Sequence, residues 1–122
     1  MADRAEFDLY LDGEVAVARA FGPELRHPSH AQQFGADLAA LSTVDGYKKV
    51  LLDLQHVKYM SSTGFATLLG AHQKMKAAGA RLAVCNLHPD VAIGANIIGL
   101  GRVIDTYSSE SEGVASFAVP AS

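Results

Sequence analysis

The chain has 122 residues, 49% hydrophobic and 19% charged, which suits one globular core and argues against wholesale disorder. Its net charge of -3 lacks the basic footprint of a phosphate-backbone binder, so nucleic acid is not an expected partner. A single cysteine, Cys85, allows no internal disulfide.

Residues 1–6 hold no apolar signal-peptide run, and no stretch nears the roughly 18 apolar residues of a membrane span. The expectation is a cytoplasmic protein.

Phe7-Asp8-Leu9-Tyr10-Leu11 alternates apolar and polar positions, the pattern of a half-exposed strand. Asp12-Gly13 suits a tight turn, and Val15-Ala16-Val17-Ala18-Arg19-Ala20-Phe21 supplies the second arm of a predicted hairpin. Gly22-Pro23 closes that unit, and His27-Pro28-Ser29 is a second break with Ser29 as the expected cap of a helix. Along that helix Ala31, Phe34, Leu38 and Leu41 recur at steps of three and four, while Gln32, Gln33, Asp37 and Ala40 fall on its other side. Asp45-Gly46 ends it.

Val50-Leu51-Leu52-Asp53-Leu54 is almost continuously apolar, as a strand buried on both faces must be. Leu82-Ala83-Val84-Cys85 and residues 103–107 are two further strand candidates. A long helix lies between the first two, with Phe65, Leu68, Leu69, His72 and Met75 on one stripe and Gly79 at its carboxyl end. Pro89 suits the first turn of a short helix carrying Val91, Ala95 and Ile98, and residues 109–117 are expected to form the last helix. The order predicts an α/β fold: a mixed sheet, with an amino-terminal hairpin and parallel strands, and helices packed on it.

No Gly-rich phosphate loop, dinucleotide fingerprint or Gly-x-Ser-x-Gly nucleophile elbow occurs. His27 and His30 are close in sequence but have no third metal ligand at an informative spacing, so no metal site is assigned. His72 reads as a packed or edge histidine and Cys85 as a small buried hydrophobe. Asp53 stands near the carboxyl end of an apolar strand, where open sheets border their crevices; the simpler reading is a hydrogen bond to a neighbouring loop backbone. An enzyme built from Asp53 and a histidine would need groups within hydrogen-bond reach, and no such set is visible. Neither catalytic residues nor a cofactor are expected.

Tyr59-Met60-Ser61-Ser62-Thr63-Gly64 places three hydroxyls where the chain enters the long helix. One hydroxyl is enough to cap a helix. The glycine beside them lets another protein approach the backbone closely, and a phosphate there would meet unpaired amides and the positive end of the helix dipole. Capping and phosphorylation are both compatible with the spacing.

The stretch from Val50-Leu51-Leu52-Asp53-Leu54 through Val57 to Tyr59-Met60-Ser61-Ser62-Thr63-Gly64-Phe65 resembles the core of STAS domains, specifically bacterial anti-sigma factor antagonists. The likeness continues through Leu68-Leu69-Gly70, Lys76-Ala77-Ala78-Gly79-Ala80-Arg81-Leu82, Asn86-Leu87-His88-Pro89-Asp90-Val91 and Gly99-Leu100-Gly101-Arg102-Val103-Ile104. It implies a single STAS domain over residues 1–122, with its core at about 7–117. The family pattern Asp-Ser-Ser/Thr-Gly implies that Ser62 is the phosphoacceptor, with Thr63 and Gly64 matching and Ser61 standing where the family has Asp. Ser61 and Thr63 are secondary acceptor candidates. The family's Gly-x-Leu-Asp stretch has only a loose echo in Gly22-Pro23-Glu24-Leu25.

The resemblance implies a phosphorylation-switched binding protein and not an enzyme. Its expected partners are an anti-sigma factor that is itself a serine kinase, bound through Ser61, Ser62, Thr63, Gly64 and Phe65, and a phosphoserine phosphatase. The alternative is an unphosphorylated scaffold or transporter-accessory STAS domain, for which Ser61 in place of Asp is the main support.

Overall fold

The computed structural model describes residues 7–20, 24–25 and 28–118, with side chains at 7–20 and 32–118. Strands β1 (Phe7–Asp12) and β2 (Val15–Ala20) form the expected antiparallel hairpin. Asp12 pairs with Val15, so the connection is Gly13-Glu14, one residue later than the sequence suggested. Gly13 adopts φ +61°, a left-handed conformation that a side chain would strain. A two-residue strand β3 (Glu24–Leu25) follows, then helix α1 (Pro28–Thr43). Ser29 therefore lies inside the first turn of α1, not before it. Residues 1–6, Phe21, Gly22-Pro23 and His27, and the side chains of Ser29, His30 and Ala31, lie outside the described residues.

Strand β4 (Lys49–Asp53), the two-residue β5 (Tyr59–Met60), helix α2 (Ser62–Ala77) and strand β6 (Arg81–Cys85) come next. Helix α3 (Pro89–Ile98), a 3-10 turn (Leu100–Arg102), strand β7 (Asp105–Tyr107) and helix α4 (Glu110–Ser116) complete the order. Strand β7 starts two residues later than predicted, because the Ile104 N–H still bonds the Leu100 carbonyl of the preceding turn at 2.9 Å.

The five-stranded sheet runs β1-β2-β4-β6-β7, antiparallel at the hairpin and parallel elsewhere. Alternation along the strands sends side chains to two cores. Ala18, Val50, Leu52 and Val84 meet Phe34, Leu38 and Leu41 of α1 and Phe65, Leu68 and Met75 of α2. Val17, Leu51, Ala83 and Cys85 meet Phe117 beyond α4 on the other face. That explains the unbroken apolar run of β4. Each large aliphatic or aromatic side chain so buried contributes about 1.5–3 kcal/mol. Helix α3 forms as expected; of its apolar residues Val91 and Ala95 are buried and Ile98 is 47% exposed.

The carboxyl ends of β2, β4 and β6 all open toward one edge of the molecule. Strands β3 and β5 pair in parallel there, Glu24 with Tyr59 and Leu25 with Met60. The start of α2 follows β5 directly.

Candidate functional site

The three hydroxyls at the mouth of α2 take three different positions. Ser61 is the cap: its backbone is extended (φ -77°, ψ 169°) and its hydroxyl accepts the Gly64 N–H at 3.2 Å. Its carbonyl accepts the Phe65 N–H at 3.0 Å, the first bond of the helix. Ser62 is the first helical residue and is exposed. No hydrogen bond to its hydroxyl is formed among the described residues. Thr63 is half-buried, and Gly64 and Phe65 are buried.

Ser62 and Thr63 face different grooves. Ser62 borders one of about 400 Å³ between the start of α2 and the end of α3, where Phe65 and Leu69 also line it. Thr63 borders another, between α1 and α2, with Gly35 and Thr67. Ala66 belongs to both and forms the ridge between them. The Thr67 hydroxyl bonds back to the Thr63 and Gly64 carbonyls at 2.9 and 3.0 Å, which satisfies it within the helix. The first turn of α2 carries no acidic residue, so nothing on it offsets the positive end of the helix.

Asp53 is fully buried at the end of β4. One carboxylate oxygen accepts the Gln55 N–H at 2.9 Å and the Asn86 amide at 3.3 Å, and the other lies 3.5 Å from Arg19 Nε. This is the simpler of the two expected roles. Asp53 fixes the loop that leads to β5 and Ser61, and Asn86 holds φ +58° beside it. The Cys85 thiol, on the neighbouring strand, is pushed up to about 12 by burial and then by the Asp53 carboxylate, with Arg19 acting the other way. It is a packed group and not a nucleophile at neutral pH. His72 sits half-buried on α2, as expected of an edge histidine. Among the described residues no three His, Cys, Asp or Glu side chains are grouped to hold a metal ion. No helix among them is long and apolar enough to cross a membrane.

Residues 9–113 match the STAS domain family, over most of the chain. The chain belongs to the STAS family. An anti-sigma F factor antagonist of Paenibacillus polymyxa is 28% identical over 61 residues, which are 50% of this chain and 52% of that protein, so the match spans about half of the relative. BtrV of Bordetella bronchiseptica, a candidate anti-sigma factor antagonist, is 31% identical over 90 residues, 73% of this chain and 76% of BtrV.

The Bacillus protein SpoIIAA shares the fold in two solved forms. The unphosphorylated form gives a TM-score of 0.73 at 22% identity, covering 94% of this chain and 99% of that one. The phosphorylated form gives 0.67 at 23% identity, covering 91% and 98%.

In this STAS domain the helix cap is Ser61, the position at which the sequence resemblance leads one to expect Asp. Asp and Ser are nearly equal caps. Serine makes the capping hydrogen bond without placing a negative charge beside Ser62.

The sequence reading missed part of this edge. Tyr59 and Met60, with Ile97 and Ile98 of α3, complete the groove beside Ser62. A signal was present: Ile93 and Ile97 add large apolar side chains on sides of the helix other than that of Val91 and Ala95, and a short surface helix cannot bury every side.

Proposed function

We propose that this STAS domain is an anti-sigma factor antagonist switched by phosphorylation of Ser62. The observation that carries the reading is the exposed Ser62 hydroxyl on the first turn of α2, at the position that matches the family phosphoacceptor. The partner is a serine-kinase anti-sigma factor that uses ATP, and the contact surface includes Ser61, Ser62, Thr63 and the Phe65 edge. Unphosphorylated, the domain occupies the anti-sigma factor and frees a sigma factor. In the transfer, a base of the kinase takes the Ser62 hydroxyl proton, a new Oγ–P bond forms and the γ-phosphorus–oxygen bond to ADP breaks.

The phosphate adds about -1.5 to -2 charges beside the amides of Ser62 and Thr63. The positive helix end tolerates that charge, so the fold survives modification while the docked partner is repelled. A switch of this kind works with a coupling of about 1–3 kcal/mol, roughly 5- to 150-fold in affinity. A phosphoserine phosphatase restores the binding form. In this reading the whole chain is one domain, acts in the cytoplasm, and is a kinase substrate without chemistry of its own.

Intact-mass analysis after incubation with ATP and the serine-kinase anti-sigma factor of the same organism tests it. The wild type gains one phosphoryl group and Ser62→Ala gains none. An equal gain in the variant moves the acceptor to Ser61 or Thr63. No gain in the wild type leaves the unphosphorylated scaffold, with Ser61 in place of Asp, as the reading to adopt.

A further inference from the structure

Helix α3 buries Val91 and Ala95 and leaves Ile93 60% and Ile97 80% exposed. Isoleucine side chains left in water forgo about 25 cal/mol for each Å² not buried, so a cluster of them on one helix marks a surface that another apolar surface covers. The cluster is not isolated. Ile97 and Ile98 line the groove of about 400 Å³ together with Phe65 and Leu69 of α2 and with Tyr59, which is 43% exposed.

Gly94 allows α3 to lie this close to α2. A Cβ there would come 3.0 Å from the Phe65 ring. Among the described residues that line the groove none is Asp, Glu, Lys or Arg.

Ser62 is itself part of that lining. An enzyme that delivers phosphate to Ser62 must lay its active-site surface across the groove, so acceptor and groove are continuous parts of one contact. The uncharged lining fixes the chemistry of what enters. We propose that the groove between α2 and α3 seats an uncharged aliphatic segment of the kinase that phosphorylates Ser62, with Ile97 and Ile98 as the main contacts. This rests on the reading of Ser62 given above, and adds the part of the surface that makes the contact specific. It also gives the switch a physical route. The phosphate plants a charge in the wall of an apolar seat, and an aliphatic segment cannot remain there without desolvating it.

The test uses the full chain and the serine kinase that phosphorylates it, purified from the source organism by that activity. Ile97 is mostly exposed, so Ile97→Glu and Ile97→Lys leave the thermal midpoint unchanged, and Leu11→Glu on the β1 edge is the control. Both Ile97 variants are expected to raise KM and weaken binding on the order of tenfold, about 1.4 kcal/mol, with kcat retained. Ile97→Val keeps wild-type KM, and wild-type affinity changes little with salt because the seat carries no charge.

Wild-type kinetics in both Ile97 variants overturn the groove while leaving Ser62 as acceptor. Weakening by one charge sign alone also overturns it, since an apolar seat rejects both. Loss of self-association in Ile97→Glu with kinase binding intact would make the groove a face for a second copy of the chain instead. A wild-type chain that no kinase phosphorylates overturns the Ser62 reading and the groove together.

Discussion

Ser61 shows how one atom type can keep a structural role while changing an electrostatic one. Its hydroxyl oxygen takes the Gly64 N–H that a carboxylate could take, so α2 starts at Ser62 without a formal charge at its mouth. Ser61→Ala removes the acceptor and is expected to cost about 1 kcal/mol. Ser61→Asp restores the cap and adds a favourable interaction with the helix end of roughly 0.3–1 kcal/mol. Chemical denaturation of the three proteins should therefore rank them Asp, Ser, Ala in falling stability. Equal stabilities of Ser and Ala would mean that the cap observed here carries no energy. Asp53 acts at the same scale but toward the inside, where its hydrogen bonds to Gln55 and Asn86 tie the ends of β4 and β6 to the loop before Ser61.

At the scale of elements, α1 and α2 meet through Gly35. A Cβ on Gly35 would lie 2.9 Å from Thr67 Cβ and 3.2 Å from the Thr67 carbonyl, and neither can swing aside as a side-chain tip could. Alanine gains about 1 kcal/mol over glycine in a helix. Overpacking costs about 1–3 kcal/mol, so the clash outweighs propensity and Gly35→Ala is destabilising. Gly70, within α2, has open space where its Cβ would stand. Gly70→Ala is expected to stabilise by about 0.5–1 kcal/mol through propensity alone. Thermal melts of the two variants should shift in opposite directions, and a shared sign would refute the packing argument.

The sequence could not distinguish these two glycines, because both stand in helical patterns and only the neighbour across the interface differs. The same limit explains the other departures. Strands β4 and β6 were legible because burial on both faces demands an unbroken apolar run. The stripe of α2 was legible because one face meets the sheet. Strands β3 and β5 have two residues each, too few to show a period. The exposure of Ile98 was not legible, because hydrophobicity alone does not say whether a side chain on a short helix meets the sheet. The turn at residues 61–64 could be located from its hydroxyls, whereas the groove beside it depends on how two distant helices converge.

At the scale of the whole molecule, His72 of α2 feels charges both from its own helix and from β7. Its Nδ1 is buried and has no hydrogen-bond partner among the described residues. Its pKa is lowered from 6.5, first by desolvation and then by the Lys76 ammonium one turn along, with the Asp105 carboxylate of β7 acting the other way. Asp105 is also paired with Arg81 at 2.7 Å. The same guanidinium reaches the Tyr107 hydroxyl at 3.0 Å and Ser116 at 3.3 Å, and lies 4.5 Å from the Phe117 ring centre, so it stays committed to β7 and α4. Protonation of His72 is consequently disfavoured in the folded chain. As pH falls through about 6.5 the unfolded chain takes up this proton first, so stability from this group is intact above that value and declines below it. His72→Gln keeps a polar side chain and removes the titration. Urea unfolding of both proteins between about pH 7.5 and 5.5 isolates the effect, because every other group appears in both and cancels. The wild-type free energy should fall relative to the variant as the solution is acidified. A difference that stays flat or grows would mean that the imidazole is as easily charged in the folded state as in the unfolded chain, and that α2 can turn it toward water without loosening from the sheet.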